Sequence, residues 1–280
     1  MYFQNLLESR RKTRSDEPVT IGIHSGMGTL AGHKFSERFH ELLTLKYAGD
    51  KNGDHSYPTV ITYSDSQTPK RDKSIDNKGE MFNHLEKSTN VFKTAKANFI
   101  LAPCNTLMHF REQLQKSSGI EIIDIIDATA KHTMKENPNI KKVGLLSTKA
   151  TSKNRLYHKA FEKLGVEVEI LDNESLDEVD KHIAMTKKGY HLLGMKDDLQ
   201  DDFLSKAKKL GDKGAEAIIL GCTEIPLLVE QKKTKSGLPI VSSIEALAHK
   251  GIQRLEEIEQ HKKLSNFRSI SPIMSCAARA

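Results

Sequence analysis

Two stretches decide how this chain is read: Asn98-Phe99-Ile100-Leu101-Ala102-Pro103-Cys104-Asn105-Thr106 and Ala217-Ile218-Ile219-Leu220-Gly221-Cys222-Thr223-Glu224. Each is an apolar run of strand length that stops at Pro103 or Gly221 and then presents a cysteine followed by hydrogen-bonding side chains. A parallel strand buried on both faces reads as such a run, and in open α/β sheets ligands sit beyond the carboxyl ends of the strands. Both sulfurs are therefore expected where chemistry occurs. A single strand-end cysteine is more often a small buried apolar residue. Two of them, each followed within two residues by threonine, favour a shared catalytic site over packing.

Working outward, 280 residues suffice for two α/β units of ordinary size. Three cysteines are too few and too scattered for a disulfide framework or a CxxC zinc site, and Cys276 has no strand-end setting and is given no role. The formal charge of +6 is spread over many predicted helices, Trp is absent and aromatics are sparse. Nucleic-acid binding favours a concentrated basic stripe with stacking rings, so the charge implies attraction of small anions instead. No apolar run has the length of a membrane span, and the first residues lack the order of a secretory signal. A cytoplasmic protein is expected.

In chain order, residues 1–18 are polar and basic and read as an extension outside the fold. Residues 19–25 form a first strand, and the Gly26-Met27-Gly28 turn leads into a helix to about Tyr47. Its glycine spacing is not that of a dinucleotide fingerprint; it suits backbone approach to an anion. A second strand at 59–63 opens into Ser64-Asp65-Ser66-Gln67-Thr68-Pro69-Lys70-Arg71, and 77–96 reads as a helix. The planar fork of Arg71 could grip a carboxylate, against the plainer reading of a solvated loop charge. After the first cysteine strand come a helix at 106–116, a strand at 121–123 and a helix ended by Asn137-Pro138-Asn139.

The pattern then restarts: a strand at 142–148, a helix at 154–164, a strand at 166–170, a helix at 177–188, a long helix from Gly189 to Lys213, the second cysteine strand, a segment at 225–233, a short strand at 238–241 and an amphipathic helix at 244–262. This is weak internal duplication. It predicts an α/β fold of two pseudo-symmetric lobes, each a mostly parallel sheet flanked by helices, with the active site in the cleft between them. The lobes are drawn at 19–137, with the last helix (about 243–263) returning to it, and at 138–242; residues 264–280 form a tail.

A thiol on either side of an α-carbon permits racemisation. One sulfur removes the proton, the other delivers a proton to the opposite face, and either can begin the cycle. The enolate charge needs donors aimed at the carboxylate, and Asn105, Thr106 and Thr223 are suitable types. The scheme requires no metal and no pyridoxal phosphate.

With these residues in view, the chain resembles the aspartate/glutamate racemase superfamily, most closely its cofactor-independent aspartate racemase branch. The resemblance rests on Pro103-Cys104-Asn105-Thr106, Gly221-Cys222-Thr223-Glu224, residues 22–31 (GIHSGMGTLA), Ser66 to Arg71, residues 143–157 (VGLLSTKATSKNRLY) and residues 214–226 (GAEAIILGCTEIP). It implies Cys104 and Cys222 as the acid/base pair, Arg71 and Lys187 as cations for the side-chain carboxylate of a small dicarboxylic amino acid, and Asn105, Thr106, Thr148 and Thr223 as further ligand contacts. It also implies a homodimer. Lys188 remains an alternative to Lys187, because an insertion follows Gly189. The histidine that the resemblance places after the first cysteine is displaced by one residue here, so His109 is not expected in the site. A maleate isomerase or decarboxylase of the same superfamily, and a non-catalytic carboxylate-binding scaffold, are the competing readings.

Overall fold

The computed structural model describes residues 18–69 and 78–277. Two four-stranded sheets of parallel strands organise them. The first contains β1 (Thr20–Ser25), β2 (Thr59–Ser64), β3 (Phe99–Leu101) and β4 (Glu121–Ile122) in the order β2-β1-β3-β4. The second contains β5 (Lys142–Leu146), β6 (Glu167–Ile170), β7 (Ala217–Leu220) and β8 (Ile240–Ser242) in the order β6-β5-β7-β8. The orders are the same when the second set is counted from its own first strand.

Register makes the duplication residue by residue. Gly22 of β1 lies opposite Ile100 of β3, and Gly144 of β5 lies opposite Ile218 of β7. Each glycine admits a helix side chain at close range. A Cβ on Gly22 would stand 2.5 Å from the Phe92 ring, and one on Gly144 would stand 2.7 Å from Leu210 Cβ. Phe92 belongs to the helix before β3 and Leu210 to the helix before β7. The sequence pairs Gly22 with Gly144 because both sheets need a helix pressed onto the same point of their central strand.

The helices of the first unit are α1 (Thr29–Lys46), α2 (Lys78–Thr94), α3 (Arg111–Ser118) and α4 (Ile125–Glu136). Asp124 caps α4 by accepting from the Ile126 and Asp127 amides, which satisfies two donors the helix cannot pair internally. In the second unit, α5 (Lys149–Lys153) and α6 (Leu156–Glu162) follow β5, and α7 (Asn173–Lys187) and α8 (Lys196–Asp212) lie between β6 and β7. Asp172 caps α7 through the Ser175 amide. The last helix, α9 (Ser243–Ala277), leaves β8 and packs on α1 and α4 of the first unit. Arg38 of α1 fixes it with two parallel bonds to Glu245, both 2.6 Å.

Most expected elements stand at their expected positions, with five differences. The helix predicted at 106–116 is a 3₁₀ turn (Asn105–His109) followed by α3. The helix predicted at 154–164 starts earlier and is broken at Arg155, whose left-handed backbone (φ 54°) separates α5 from α6. The long helix predicted to Lys213 is interrupted by a 3₁₀ turn (Tyr190–Leu193) and Gly194. The helix predicted from 177 begins four residues earlier, at Asn173. The last helix runs through Ala277, past the expected end at 262.

One apolar core runs continuously from the first sheet into the second. It includes Ile21, Ile23, Phe35, Phe99 and Leu101 on one side and Val143, Leu145, Tyr157, Phe161 and Ile219 on the other. A second cluster, with Val179, Phe203, Leu210 and Ile225, covers the remaining face of the second sheet. Among the described residues, no helix is long and apolar enough to cross a membrane, and no group of three or more His, Cys, Asp or Glu side chains could hold a metal ion.

Candidate active site

Register sets the geometry of the site. Cys104 follows Ile100 by four residues, and Cys222 follows Ile218 by the same four, so the two sulfurs occupy matching points beyond the carboxyl ends of β3 and β7. In each sheet the neighbouring strand, β1 or β5, connects outward in the other direction. Such a switch point opens a crevice at the strand ends.

Tyr157 of α6 joins the two ends. Its hydroxyl donates to Asn105 Oδ1 at 2.8 Å, and its ring lies 3.1 Å from where a Cβ on Gly221 would stand. The residue after Cys104 and the residue before Cys222 therefore meet the same fully buried ring. Asn105 also donates to Ser243 Oγ at 3.4 Å, which ties the first cysteine loop to the start of α9. Burial pushes the Tyr157 phenol upward, so it stays a neutral donor.

The surroundings of the two sulfurs differ. Cys104 is buried, with its Sγ 3.3 Å from Thr106 Oγ1. Cys222 is buried and donates to Glu224 Oε2 at 3.0 Å. Burial raises the Cys222 thiol well above its ordinary value, the Glu224 charge raises it further, and Lys187 opposes both. Cys222 is thus held as a thiol hydrogen-bonded to a carboxylate.

Glu224 connects this end to both halves of the chain. Its Oε1 lies 3.2 Å from Lys187 Nζ at the end of α7, and Thr223 Oγ1 donates to its Oε2 at 3.5 Å. Gly28, which precedes α1, leaves it room: a Cβ there would stand 1.9 Å from Glu224 Oε1. The strand-to-helix turn of the first unit therefore touches the cysteine loop of the second.

Of the expected residues, Cys104, Asn105 and Thr106 lie together at one strand end, and Cys222, Thr223 and Lys187 at the other. Thr148 lies at the end of β5, where its hydroxyl caps α5 by accepting from the Thr151 amide and donates to Thr151 Oγ1 at 2.9 Å. Arg71 lies outside the described residues. Lys187, and not its neighbour Lys188, makes the ion pair with Glu224. His109 is exposed and meets Asn154 at 2.8 Å. Sequence reasoning missed Glu224 and Tyr157 as participants, and the Gly28 turn that it read as suited to an anion lies against the Glu224 carboxylate. For Glu224 a signal existed: a carboxylate two residues after a strand-end thiol.

Matched parallel sheets with a thiol beyond the same strand of each define a duplicated α/β fold with two equivalent strand ends. The model of the Asp/Glu/Hydantoin racemase family matches residues 26–251. The chain is 26% identical over 229 residues to the broad specificity amino-acid racemase RacX of Bacillus subtilis, covering 81% of this chain and 94% of that protein. It is 26% identical over 238 residues to the glutamate racemase of Aquifex pyrophilus, covering 82% and 81%. The crystal structure of an aspartate racemase homologue from Pyrococcus horikoshii superposes with a TM-score of 0.65 at 25% identity, over 85% of this chain and 99% of that one. The Picrophilus torridus aspartate racemase shares the fold at a TM-score of 0.68 and 24% identity, over 85% and 94%. The chain belongs to the Asp/Glu/Hydantoin racemase family, and with it to the isomerases.

Proposed function

We propose that this protein is an amino-acid racemase whose substrate is a small acidic amino acid, aspartate or glutamate, and that Cys104 and Cys222 exchange its α-proton from opposite faces. The observation that carries this reading is the register match of the two cysteines, with Tyr157 joining the loops on which they stand. In one direction Cys104 takes the α-proton as thiolate, and Cys222 gives its thiol proton to the other face. In the reverse direction Cys222 must first lose its proton, and Glu224, 3.0 Å away, is the acceptor in place for it. No cofactor takes part in this scheme. Thr106 and Thr223 supply hydroxyls and Asn105 an amide beside the sulfurs, where the developing enolate needs donors.

The acidic preference is supported by Lys187. Its ammonium, 37% exposed and already bound to one carboxylate at 3.2 Å, can share itself with a substrate carboxylate, and Arg71 is proposed as its companion. Thr148 is proposed as a ligand contact at the neighbouring strand end. A cytoplasmic homodimer belongs to the same reading, checked by light scattering and by fractionation. The experiment is α-proton exchange: L-aspartate or L-glutamate in D₂O loses its α-hydrogen NMR signal as the D-enantiomer accumulates. Absence of exchange with both amino acids contradicts the proposal.

A further inference from the structure

The groups around the second cysteine that the racemase reading gives to an acidic substrate already touch a carboxylate of the chain itself. Glu224 Oε2 accepts from the Cys222 thiol at 3.0 Å and from the Thr223 hydroxyl at 3.5 Å. Glu224 Oε1 lies 3.2 Å from Lys187 Nζ. That oxygen is buried and accepts no hydrogen bond. Gly28, the residue before α1, comes near it without a side chain to offer; a Cβ there would stand 1.9 Å away. Among the described residues, Lys187 is the only ion-pair partner of Glu224.

The two partners of this pair differ in exposure. The Glu224 side chain is 5% exposed and that of Lys187 is 37% exposed. A buried carboxylate is costly without its cation, so Glu224 depends on Lys187, while Lys187 remains open to solvent. An ammonium is a compact charge with three donors. It can touch two carboxylates at once, but its charge balances only one. A dicarboxylic ligand arriving from solvent therefore meets a pair of zero net charge in place of an isolated cation.

We propose that Glu224 sets how strongly this site prefers acidic over neutral side chains, by competing with the side-chain carboxylate of the substrate for Lys187. In this role it is a positioning residue, because it acts through Lys187. The competition lowers the affinity for an acidic amino acid. A neutral side chain makes no claim on Lys187 and is not penalised, so the contrast between the two kinds of substrate is reduced. The inference rests on the reading that Lys187 meets the side-chain carboxylate of the substrate.

The test is a double-mutant cycle on the full chain, read by calorimetric titration. The probes are succinate, which has two carboxylates and no α-ammonium, and L-asparagine, whose side chain is neutral. Glu224→Gln keeps the size of the side chain and is expected to tighten succinate about fivefold while leaving L-asparagine unchanged. Glu224→Asp, which keeps the charge but draws it back from Lys187, is expected to give part of the same gain. Lys187→Gln is expected to weaken succinate and to abolish the gain from Glu224→Gln, because a buried carboxylate deprived of its cation takes up a proton and ceases to compete. Succinate bound no more tightly by either Glu224 variant than by the wild type, absence of binding included, overturns the proposal. An equal gain with and without Lys187 also overturns it, as repulsion that does not pass through the ammonium. Weaker L-asparagine binding in Glu224→Gln overturns it by making Glu224 a contact for the α-ammonium. In the exchange assay Glu224→Gln should lower KM for L-aspartate even as kcat falls. Exchange without the succinate pattern removes this inference and leaves the racemase reading; the succinate pattern without exchange does the reverse.

Discussion

The two cysteine loops are copies that have diverged at one informative position. Counted from the matched strand residues, Cys104-Asn105-Thr106 lies over Cys222-Thr223-Glu224, and in each loop the third residue contacts the sulfur. In the first loop that contact is a hydroxyl at 3.3 Å; in the second it is a carboxylate at 3.0 Å. A hydroxyl can donate to a thiolate, whereas a carboxylate can only receive a thiol proton. The duplicated fold supplies two equivalent positions, and the exchange of threonine for glutamate gives one sulfur a neutral hydroxyl for a neighbour and the other a charge that raises the Cys222 thiol.

The largest effect that can break this comparison is loss of either sulfur. Cys104→Ser and Cys222→Ser are each expected to lower racemisation about 10²–10⁴-fold, the range of a positioned acid or base, measured by chiral chromatography. Next is Glu224→Gln, which removes the charge but keeps the size. The Glu224 charge raises the Cys222 thiol, so its removal lowers the pH at which that thiol ionises. Thiolate absorbance in the ultraviolet should then develop at lower pH than in the wild type, with turnover falling about tenfold as the proton acceptor is lost. Thr106→Val is expected to cost less than Glu224→Gln, since it removes only a neutral hydroxyl.

A second divergence concerns stability. By the same register His24, the penultimate residue of β1, stands where Leu146 ends β5. His24 is 2% exposed, and burial holds it at about 4, below the usual 6.5, with Asp65 opposing. The unfolded chain takes a proton below pH 6.5 that the folded chain refuses, so stability falls as pH drops from about 6.5 to about 4, by about 3 kcal/mol at most. His24→Leu, which copies the second sheet, should flatten this part of the urea-unfolding profile. The smallest expected effect is Tyr157→Phe. It leaves Asn105 Oδ1 without its 2.8 Å donor and should cost about 1–2 kcal/mol in the same assay.

Strand positions were legible because parallel strands buried on both faces read as short apolar runs. Ile100 and Ile218 stand where the sequence puts them. The two cysteines were legible for the same reason: each is the first reactive side chain beyond such a run. Helix interruptions were not legible. Gly194 costs a helix only about 1 kcal/mol, so the apolar spacing on either side of it reads as continuous, and Arg155 gives no local sign of a left-handed backbone. Glu224 was visible in the motif but not in its role, which depends on Lys187 and Gly28 arriving from distant parts of the chain. Tyr157 was hidden likewise, because its two contacts, Asn105 and Gly221, belong to different sheets.

The account's central claim is that two different groups serve the two faces of one carbon. The direct measurement is the isotope content of both enantiomers early in a reaction of L-aspartate with the wild-type protein in D₂O. Two thiols predict D-aspartate that carries deuterium at the α-carbon from the first turnovers, while the remaining L-aspartate keeps its hydrogen. D-aspartate that retains the original α-hydrogen would mean that one group carries the proton across, and would contradict the account.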